Sequence, residues 1–206
     1  MHTFDQLGLR SEILQALSDL GYQTPTEIQL KSIPSLVSVN PDFIGLAQTG
    51  TGKTAAFGLP LIHHFDPKIQ HTYGLILAPT RELAQQIAKE LDLFAKYIKG
   101  VRMEVFYGGT AISANIRSLK KSTPHIIIAT PGRLQDLIDR KAVKLDQLQF
   151  LILDEADEML NMGFQEAVDN ILQFTPDEKV IWLFSATMPK EIRKIIGDYM
   201  ENPLEV

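Results

Sequence analysis

Short apolar runs alternate with helical patterns along most of this chain, and this alternation constrains the fold more than any other feature. Several runs are apolar at consecutive positions, as expected for strands that are buried on both faces. Alternation at this spacing predicts an α/β fold, with a parallel sheet and helices on both faces. The predicted strands are Phe43–Ala47, Gly74–Ala78, Val101–Tyr107, His125–Ala129, Phe150–Leu153 and Val180–Phe184.

Length and composition indicate one folded domain. The chain has 206 residues, of which 45% are hydrophobic and 22% charged, and this suffices for a sizeable core. We expect a single domain over residues 1–206, with helices in residues 1–40 and the core in residues 41–206. Helical periodicity predicts helices at Ser11–Leu20, Pro25–Val39 and Arg81–Lys99.

Composition also excludes several classes of protein. The chain has no cysteine, which excludes disulfides and thiolate metal sites. No apolar run reaches the roughly 18 residues of a membrane span, and the N-terminal MHTFDQLGLR lacks the pattern of a secretory signal. We therefore expect a soluble, cytoplasmic protein without membrane contacts. The net charge of −5 argues against a nonspecific nucleic-acid binder, which would be basic, so specific motifs must outweigh it.

The segment Ala47–Thr54, AQTGTGKT, lies between a predicted strand and a predicted helix. Its pattern is typical of a P-loop, with alanine in place of the first glycine. Gly50 and Gly52 would let backbone N–H groups turn toward phosphate oxygens at the N-terminus of a helix. Lys53 would reach the β- and γ-phosphates, and the Thr54 hydroxyl would bind Mg²⁺. The alternative is a flexible glycine loop that happens to precede a helix.

A second polar strand end occurs in Phe150–Asp157, FLILDEAD. Asp154 would orient Mg²⁺ through water, and Glu155 would polarise the water that attacks the γ-phosphate. Alone, these acids fit equally well as N-terminal helix residues favoured by the helix dipole. Beside a P-loop they favour a catalytic site made of Lys53, Asp154 and Glu155, with Mg²⁺ held by Thr54 and Asp154.

The strings AQTGTGKT, PTRELA, TPGR, DEAD and SAT occur here in the order found in DEAD-box helicases, which the chain resembles from Phe4 to its last helix. The resemblance implies a RecA-like P-loop domain of an RNA-dependent ATPase that separates short RNA duplexes locally. It implies ATP or ADP and Mg²⁺ as ligands, RNA as a partner, and a monomer.

Members of this family have a second RecA-like domain, which supplies arginines to the γ-phosphate. No such motif occurs in this chain, and Asn202–Val206 resembles the start of a linker. We therefore expect a piece of a longer protein, which binds nucleotide weakly, hydrolyses it very slowly and unwinds nothing without its second domain.

The segment Gly21–Gln29, GYQTPTEIQ, is similar to the family's Q motif. This similarity implies that Gln29 recognises the adenine edge and that Phe4 stacks on the base. An amide suits adenine because it both donates and accepts hydrogen bonds. With the P-loop, the resemblance assigns nucleotide contacts to Phe4, Tyr22, Gln29, Gln48, Thr49, Gly50, Thr51, Gly52, Lys53 and Thr54.

The helix that contains Gln29 can begin in two ways. A capping box with Thr24 as N-cap and Glu27 at the third helical position would leave Gln29 free for the nucleotide. A box from Thr26 to Gln29 would instead use the Gln29 amide structurally. We predict the arrangement with Thr24 as N-cap, because it puts Pro25 at the first helical position, where proline is favoured.

Three further strand ends carry groups suited to phosphates. Thr80 and Thr130 are predicted N-caps, and Arg81 and Arg133 add positive charge. The resemblance implies a track for successive RNA phosphates, which recognises no bases. Each piece also has a purely structural explanation, as a helix cap or a turn. The predicted track comprises Pro79, Thr80, Arg81, Gly108, Gly109, Thr130, Pro131, Gly132 and Arg133.

The tripeptide Ser185–Thr187 follows the last predicted strand. In the family it links the nucleotide site to strand separation. We predict that the Ser185 and Thr187 hydroxyls bond a carboxylate of the DEAD turn, Asp157. The alternative is that Thr187 only caps the next helix.

Two other functions stay open at this stage. One is a related translocase that acts on DNA. The DEAD string argues against this function, as does the pair of Gln29 and Phe4. The other is a nucleotide-gated RNA clamp that serves as a scaffold, although the intact Glu155 favours hydrolysis.

Overall fold

The computed structural model describes residues 3–206 and contains the predicted parallel sheet. The strand order is β3-β4-β2-β5-β6-β1-β7, and all neighbouring strands pair in parallel. Six strands match the predicted runs with boundaries that differ by at most two residues, β5 matches its run at both ends, and the seventh strand was not predicted. The strands are β1 Phe43–Leu46, β2 Gly74–Leu77, β3 Met103–Phe106, β4 Ile126–Ala129, β5 Phe150–Leu153, β6 Val180–Ser185 and β7 Leu204–Glu205.

Helices cover both faces of this sheet, because each strand buries alternate side chains on opposite sides. Ile126 and Ile128 of β4 belong to one apolar cluster, and Ile127 belongs to the other. A short 3-10 helix at Phe4–Leu7 precedes the α-helices. These are α1 Ser11–Asp19, α2 Glu27–Ser38, α3 Lys53–His63, α4 Arg81–Phe94, α5 Ile112–Lys121, α6 Pro131–Asp139, α7 Ala156–Asn161, α8 Gln165–Phe174 and α9 Lys190–Tyr199.

The N-terminal helices share the core of the sheet. Ile13 and Leu17 of α1 and Ile33 and Leu36 of α2 are at most 1% exposed, and they join the cluster that contains Phe57 of α3. Removing them would expose part of this cluster, so α1 and α2 belong to the same folding unit as the sheet. Within residues 3–206 no helix combines the length and the apolarity that crossing a bilayer requires.

The end of the chain corrects one prediction. Asn202–Val206 was expected to begin a linker, but Leu204–Glu205 forms β7 beside β1. The Leu204 N–H donates to the Asp42 carbonyl at 2.8 Å, and the Val206 N–H donates to the Ile44 carbonyl at 2.9 Å. Two paired residues without a buried face carry no apolar periodicity, which is why the sequence pattern did not indicate this strand.

Gly45 allows two aromatic rings to pack directly over β1. A Cβ at this position would lie 2.7 Å from the Phe184 ring and 3.0 Å from the Phe43 ring. The two rings are themselves 5.5 Å apart between centroids and fully buried. The missing side chain therefore sets how closely the aromatic layer approaches the strand that leads into the P-loop.

Gly45→Ala is expected to lower the free energy of unfolding by about 1–3 kcal/mol, because the added methyl overpacks a rigid aromatic layer. Urea denaturation measures the change. Gly197→Ala is the matched control: Gly197 lies in α9, and nothing stands within 4 Å of its Cβ position. There alanine should stabilise by up to about 1 kcal/mol, through its higher helix propensity. Equal effects of the two substitutions would contradict the packing argument.

Candidate functional site

The strand order divides the carboxyl edge of the sheet into two halves. The adjacent strands β5, β6 and β1 lead into the acidic turn, Ser185–Thr187 and the P-loop. The adjacent strands β3, β4 and β2 lead into the Gly108–Gly109 loop, the TPGR segment and the PTRELA segment. In open parallel sheets, ligands bind outside the carboxyl ends of the strands. The predicted nucleotide residues and the predicted RNA track thus occupy separate, neighbouring parts of one edge.

The P-loop leaves β1 and ends where α3 begins. Gly50 and Gly52 have φ angles of 80° and 91°, which a residue with a side chain rarely adopts. Gly52 stands at the N-cap of α3, so the first N–H groups of that helix face the loop. Within the loop, the Thr51 hydroxyl donates to the Gln48 carbonyl at 2.8 Å. This geometry is that of an anion-binding helix N-terminus.

Lys53 and Asp154 form a buried pair beneath the P-loop. Their side chains are 6% and 3% exposed, and the Lys53 Nζ lies 3.8 Å from the Asp154 Oδ1. That distance is too long for a hydrogen bond, and Nζ has no hydrogen-bond partner within residues 3–206. Burial raises the pKa of the Asp154 carboxyl to about 6, although the Lys53 charge opposes this shift. A second cation near Asp154 would relieve the same cost of burial.

Glu155 lies at the turn from β5 into α7 and has a strained backbone conformation. Its φ and ψ angles are 51° and 50°, in the left-handed region, where a residue with a side chain is disfavoured by about 1–3 kcal/mol. Its N–H donates to the Asp154 Oδ1 at 3.0 Å, and its side chain is partly exposed. Thr54 lies next to Lys53 in the first turn of α3 and is also partly exposed.

Asp157 connects α7 to the end of β6. Its Oδ2 accepts hydrogen bonds from the Thr187 hydroxyl at 2.7 Å and from the Thr187 N–H at 2.9 Å. Burial raises the pKa of Asp157, but these hydrogen bonds more than offset burial and lower it overall. The Ser185 hydroxyl instead accepts from the Asp157 N–H at 3.3 Å and donates to the Thr187 carbonyl. The predicted bond from Thr187 is present, whereas Ser185 bonds the backbone rather than the carboxylate.

The capping prediction around Gln29 is wrong. Helix α2 begins at Glu27 with Thr26 as N-cap, and the Gln29 Oε1 accepts from the Thr26 N–H at 2.9 Å. Glu27 is exposed and pairs with Lys31 at 2.7 Å. The Gln29 Nε2 also donates to the Gly52 carbonyl at 3.0 Å, a P-loop contact that a box starting at Thr24 would not provide. This tertiary bond explains why the helix uses the later start.

Phe4 and Tyr22 form an aromatic pair beside α4. The Phe4 ring is only 4% exposed, and its centroid lies 6.0 Å from that of Tyr22, which in turn packs edge-on to Phe94. A base can stack on Phe4 only after this covered ring becomes accessible. Phe4 and Tyr22 line a cavity of about 380 Å³ together with Thr3, Asp5, Leu14, Leu17, Ser18, Gly21 and Gln23.

The other half of the edge contains two helix N-termini and a glycine loop. Thr80 caps α4 by accepting from the Leu83 N–H at 3.2 Å, as predicted. Thr130 is the N-cap of α6 with Pro131 at the first position, although its hydroxyl makes no capping bond. Gly108 and Gly109 are exposed, with open space around both Cβ positions. The two glycines are therefore accessible to a ligand that approaches the edge, whereas Thr130 is buried.

The two predicted arginines differ in placement. Arg81 is exposed, and its guanidinium lies 4.8 Å from the centroid of the Tyr107 ring. Arg133 is 8% exposed, and its guanidinium donates to Thr110 and Asn115. Unlike Arg81, Arg133 therefore directs its guanidinium at oxygens of the protein, and its predicted contact with RNA stays a prediction. Neither Tyr107 nor Asn115 was singled out from the sequence, where the only signal is an aromatic residue directly before the two glycines.

A parallel sheet in which one strand leads into a P-loop and the strand two places away, β5, leads into an acidic turn defines the class of P-loop nucleotide-binding domains. The model of the DEAD/DEAH box helicase family matches residues 26–195, and the chain belongs to this family.

Similar proteins support this assignment. The chain is 48% identical over 204 residues to the ATP-dependent RNA helicase DeaD of Haemophilus influenzae, covering 99% of this chain and 33% of that protein. It is 50% identical over 203 residues to the ATP-dependent RNA helicase CshA of Listeria monocytogenes, covering 98% and 38%. The chain thus spans between 33% and 38% of the length of these two relatives.

The fold also matches a solved structure. The crystal structure of a DEAD box protein from the hyperthermophile Methanococcus jannaschii superimposes with a TM-score of 0.93 and 41% sequence identity. The match covers 98% of this chain and 55% of that chain. The seven-stranded parallel sheet with surrounding helices is therefore the RecA-like domain fold of DEAD-box proteins.

Thr187→Val is expected to lower the free energy of unfolding at neutral pH by about 1 kcal/mol, because Asp157 loses a charged hydrogen bond. Because the pKa of Asp157 is lowered by folding, this stabilisation is present above the ordinary carboxyl pKa. It disappears as the pH falls through the folded-state value. Denaturation of both proteins at about pH 7 and about pH 3 should show the difference shrinking in acid. Thr123→Val, at an exposed position before β4, should change stability by less than about 0.5 kcal/mol.

Proposed function

We propose that this chain is the ATP-binding half of an RNA-dependent ATPase, which binds Mg²⁺·ATP and an RNA backbone at one edge of its sheet. As part of a longer helicase, it would separate short RNA duplexes locally. The observation that carries this proposal is the buried Lys53 ammonium at the P-loop, which within residues 3–206 has no hydrogen-bond acceptor and one carboxylate at 3.8 Å.

Phosphate oxygens would supply the hydrogen-bond acceptors that Lys53 lacks. A buried ammonium without hydrogen bonds is costly, and phosphate oxygens at the P-loop would give it charged acceptors. The N–H groups at the start of α3 bind the same oxygens without adding charge. Gly50 and Gly52 supply the positive φ angles that turn this backbone toward the ligand.

The carboxylate and hydroxyl beside Lys53 fit Mg²⁺. Oxygen ligands are those Mg²⁺ prefers, and it usually keeps several waters while binding one or two carboxylates and substrate phosphates. Thr54 and Asp154 would hold the ion, and the raised pKa of Asp154 reflects a buried negative charge that a cation would favour. When bound, Mg²⁺ neutralises charge on the phosphate oxygens.

Glu155 would carry out the proton chemistry. It follows Asp154 directly, and the left-handed turn separates its side chain from the buried pair. In this role its carboxylate would orient the attacking water and accept a proton from it as the water oxygen bonds the γ-phosphorus, while the bond from that phosphorus to the bridging oxygen breaks and ADP leaves. Asp157 and Thr187 hold the start of α7 to the end of β6, so a displacement of the acidic turn would be felt at that strand end.

Gln29 retains the hydrogen-bonding capacity that recognition of adenine requires. An amide offers two N–H donors and two acceptor lone pairs. The bonds to Thr26 and Gly52 use one donor and one lone pair, which leaves one of each. The bond to Gly52 also places the amide against the P-loop, and therefore close to the nucleotide.

RNA would bind across the β3, β4 and β2 half of the edge. The N-termini of α4 and α6, the Gly108–Gly109 backbone and the exposed Arg81 offer donors to successive phosphates. These groups act locally, so the net charge of −5 does not oppose binding. They contact no base edges, so recognition would be independent of sequence and would weaken with salt. The relatives named as RNA helicases support RNA as the ligand.

The longer length of these relatives supports a second domain in the same polypeptide. That domain would complete the RNA channel and the γ-phosphate site, with the whole protein acting as a monomer. Rapid turnover would belong to the longer protein, since an arginine supplied in trans raises the rate of other P-loop enzymes by about 10³–10⁵.

Titration calorimetry with Mg²⁺·ADP and Mg²⁺·GDP tests the adenine site. The chain is expected to prefer ADP by about tenfold or more, because a bidentate amide discriminates by about 1–3 kcal/mol. Gln29→Ala should abolish this preference. Gln29→Glu keeps the acceptor for Thr26 but loses both donors, and it should abolish the preference without removing the cap. Equal binding of ADP and GDP by the unmodified chain would leave Gln29 with only its structural role.

The pH dependence of Mg²⁺ binding tests Asp154. The folded-state pKa is raised to about 6, so the carboxyl takes up a proton as the pH falls through that value. The ratio of ADP affinities with and without Mg²⁺ should fall about tenfold more between pH 7.5 and pH 5 in the unmodified chain than in Asp154→Asn. The titration of ADP itself affects both proteins equally, so this comparison removes its contribution. The same pH dependence in this variant would assign the titration to another group.

A further inference from the structure

The loop that contains the two glycines is held from both faces of the sheet. We call Tyr107–Ala111, between β3 and α5, the strand-3 loop. Helix α4 packs with one apolar cluster and helix α6 with the other, and side chains from both reach this loop. Because β3 is the edge strand, its loop has a neighbouring strand on only one side. These side-chain contacts therefore determine its position.

On the α4 face, the loop is held through Tyr107. The Tyr107 hydroxyl accepts a hydrogen bond from the Gln85 Nε2 at 2.9 Å. The ring lies 4.8 Å from the Arg81 guanidinium, a cation–π contact that orients an otherwise exposed charge. Arg81 and Gln85 are one helical turn apart, so Tyr107 contacts the first turn of α4 at two points.

On the α6 face, the loop is held through Arg133. Its Nη1 donates to the Thr110 hydroxyl at 3.0 Å and to the Asn115 side chain, and its Nη2 donates to the Thr110 carbonyl at 2.8 Å. The guanidinium thus bridges the loop to the first turn of α5. Its Nε is buried and lacks a partner within the described residues, so none of its charge is presented freely at the edge.

We propose that Tyr107 and Arg133 are positioning residues that hold the strand-3 loop against the N-termini of α4 and α6. Through them the Gly108–Gly109 backbone and Arg81 form one preorganised surface for RNA phosphates, while Arg133 itself binds no phosphate. This inference rests on the proposed RNA binding at this edge.

The burial of Arg133 distinguishes positioning from direct binding. A phosphate could recruit this guanidinium only after the buried arginine gave up its three hydrogen bonds to Thr110 and Asn115. Arg81 has no such bonds to give up within the described residues, because it is exposed and contacts the Tyr107 ring. The two arginines should therefore respond differently to salt and to substitution.

Binding of a fluorescein-labelled ten-nucleotide oligouridylate, followed by anisotropy across a salt series, tests the assignment. Arg81→Gln should lower the slope of log affinity against log salt by about 0.7, as expected when one phosphate contact to a single strand is lost. Arg133→Lys keeps its charge but cannot bridge the same oxygens, and should weaken binding about three- to tenfold with the slope unchanged. Retention of full affinity by Arg133→Lys, with a flatter slope for Arg133→Gln, would make Arg133 a direct ligand and overturn the proposal.

Substitutions that leave Arg133 in place guard against a simple folding defect. Asn115→Ala and Thr110→Val remove its acceptors, and each should weaken RNA binding in the same direction. Tyr107→Phe keeps the ring beneath Arg81 and should bind better than Tyr107→Leu. Arg117→Gln, at an exposed position of α5, is the control and should behave as the unmodified chain.

Two readouts separate the outcomes. Affinity for Mg²⁺·ADP should be unchanged in all these variants, because the nucleotide half of the edge is not touched; a parallel loss of both affinities would overturn the positioning role. The amide signals of Gly108 and Gly109 should shift on RNA addition in the unmodified chain and less in Arg133→Lys. If the unmodified chain binds no RNA at all, the proposed function fails; if it binds and the variants bind equally well, only this inference fails.

Discussion

Parallel pairing of every neighbouring strand is the constraint on which the described structure depends. It brings the six predicted functional strand ends to one edge, although they are separated by up to 140 positions in the sequence, between Ala47 and Thr187. The order of the strands then sorts these ends, with the P-loop and acidic turn on one side and the N-termini of α4 and α6 on the other. The two halves meet between β2 and β5, where the Asp154 N–H donates to the Leu77 carbonyl at 3.0 Å. The aspartate that is proposed to hold Mg²⁺ is thus also the first residue across the boundary from the proposed RNA half.

Two buried cations illustrate how the structure distinguishes binding residues from structural ones. Lys53 and Arg133 have similar exposure, 6% and 8%. Arg133 donates three hydrogen bonds to neutral oxygens and leaves only its Nε unpaired among residues 3–206, so most of its burial is compensated within the fold. Within the same residues Lys53 has no hydrogen bond and only a carboxylate at 3.8 Å, which is why we propose that a bound phosphate compensates its burial. The strained backbone of Glu155 resembles the buried charge of Lys53 in one respect. Each is unfavourable by itself and is maintained by the packed core on both faces of the sheet.

The sequence predicted the elements whose signals are local. Consecutive apolar residues located six strands, and the P-loop, the acidic turn and the Thr80 cap were identified from short strings with known physical roles. The errors concern side chains whose partners are remote in sequence. Gln29 caps α2 because it also reaches Gly52 of the P-loop, and Arg133 turns inward because Thr110 and Asn115 offer oxygens from another loop. The covered ring of Phe4 depends likewise on Tyr22 and on helix α4. The spacing of residues within a motif cannot predict these contacts, because their partners lie elsewhere in the sequence.

The short strand β7 has a further consequence for the strand that leads into the P-loop. Leu204–Glu205 occupies the outer edge of β1, whose N–H and C=O groups would otherwise face solvent next to Ala47. An uncovered, regular edge strand is a template for pairing with another chain, and short edge strands are one way in which proteins limit it. A shortened form of the chain that stops before Leu204 would keep the buried residues of both clusters and yet expose such an edge beside the P-loop. Pairing of that edge with another chain would then compete with the ligand binding proposed at the same strand end.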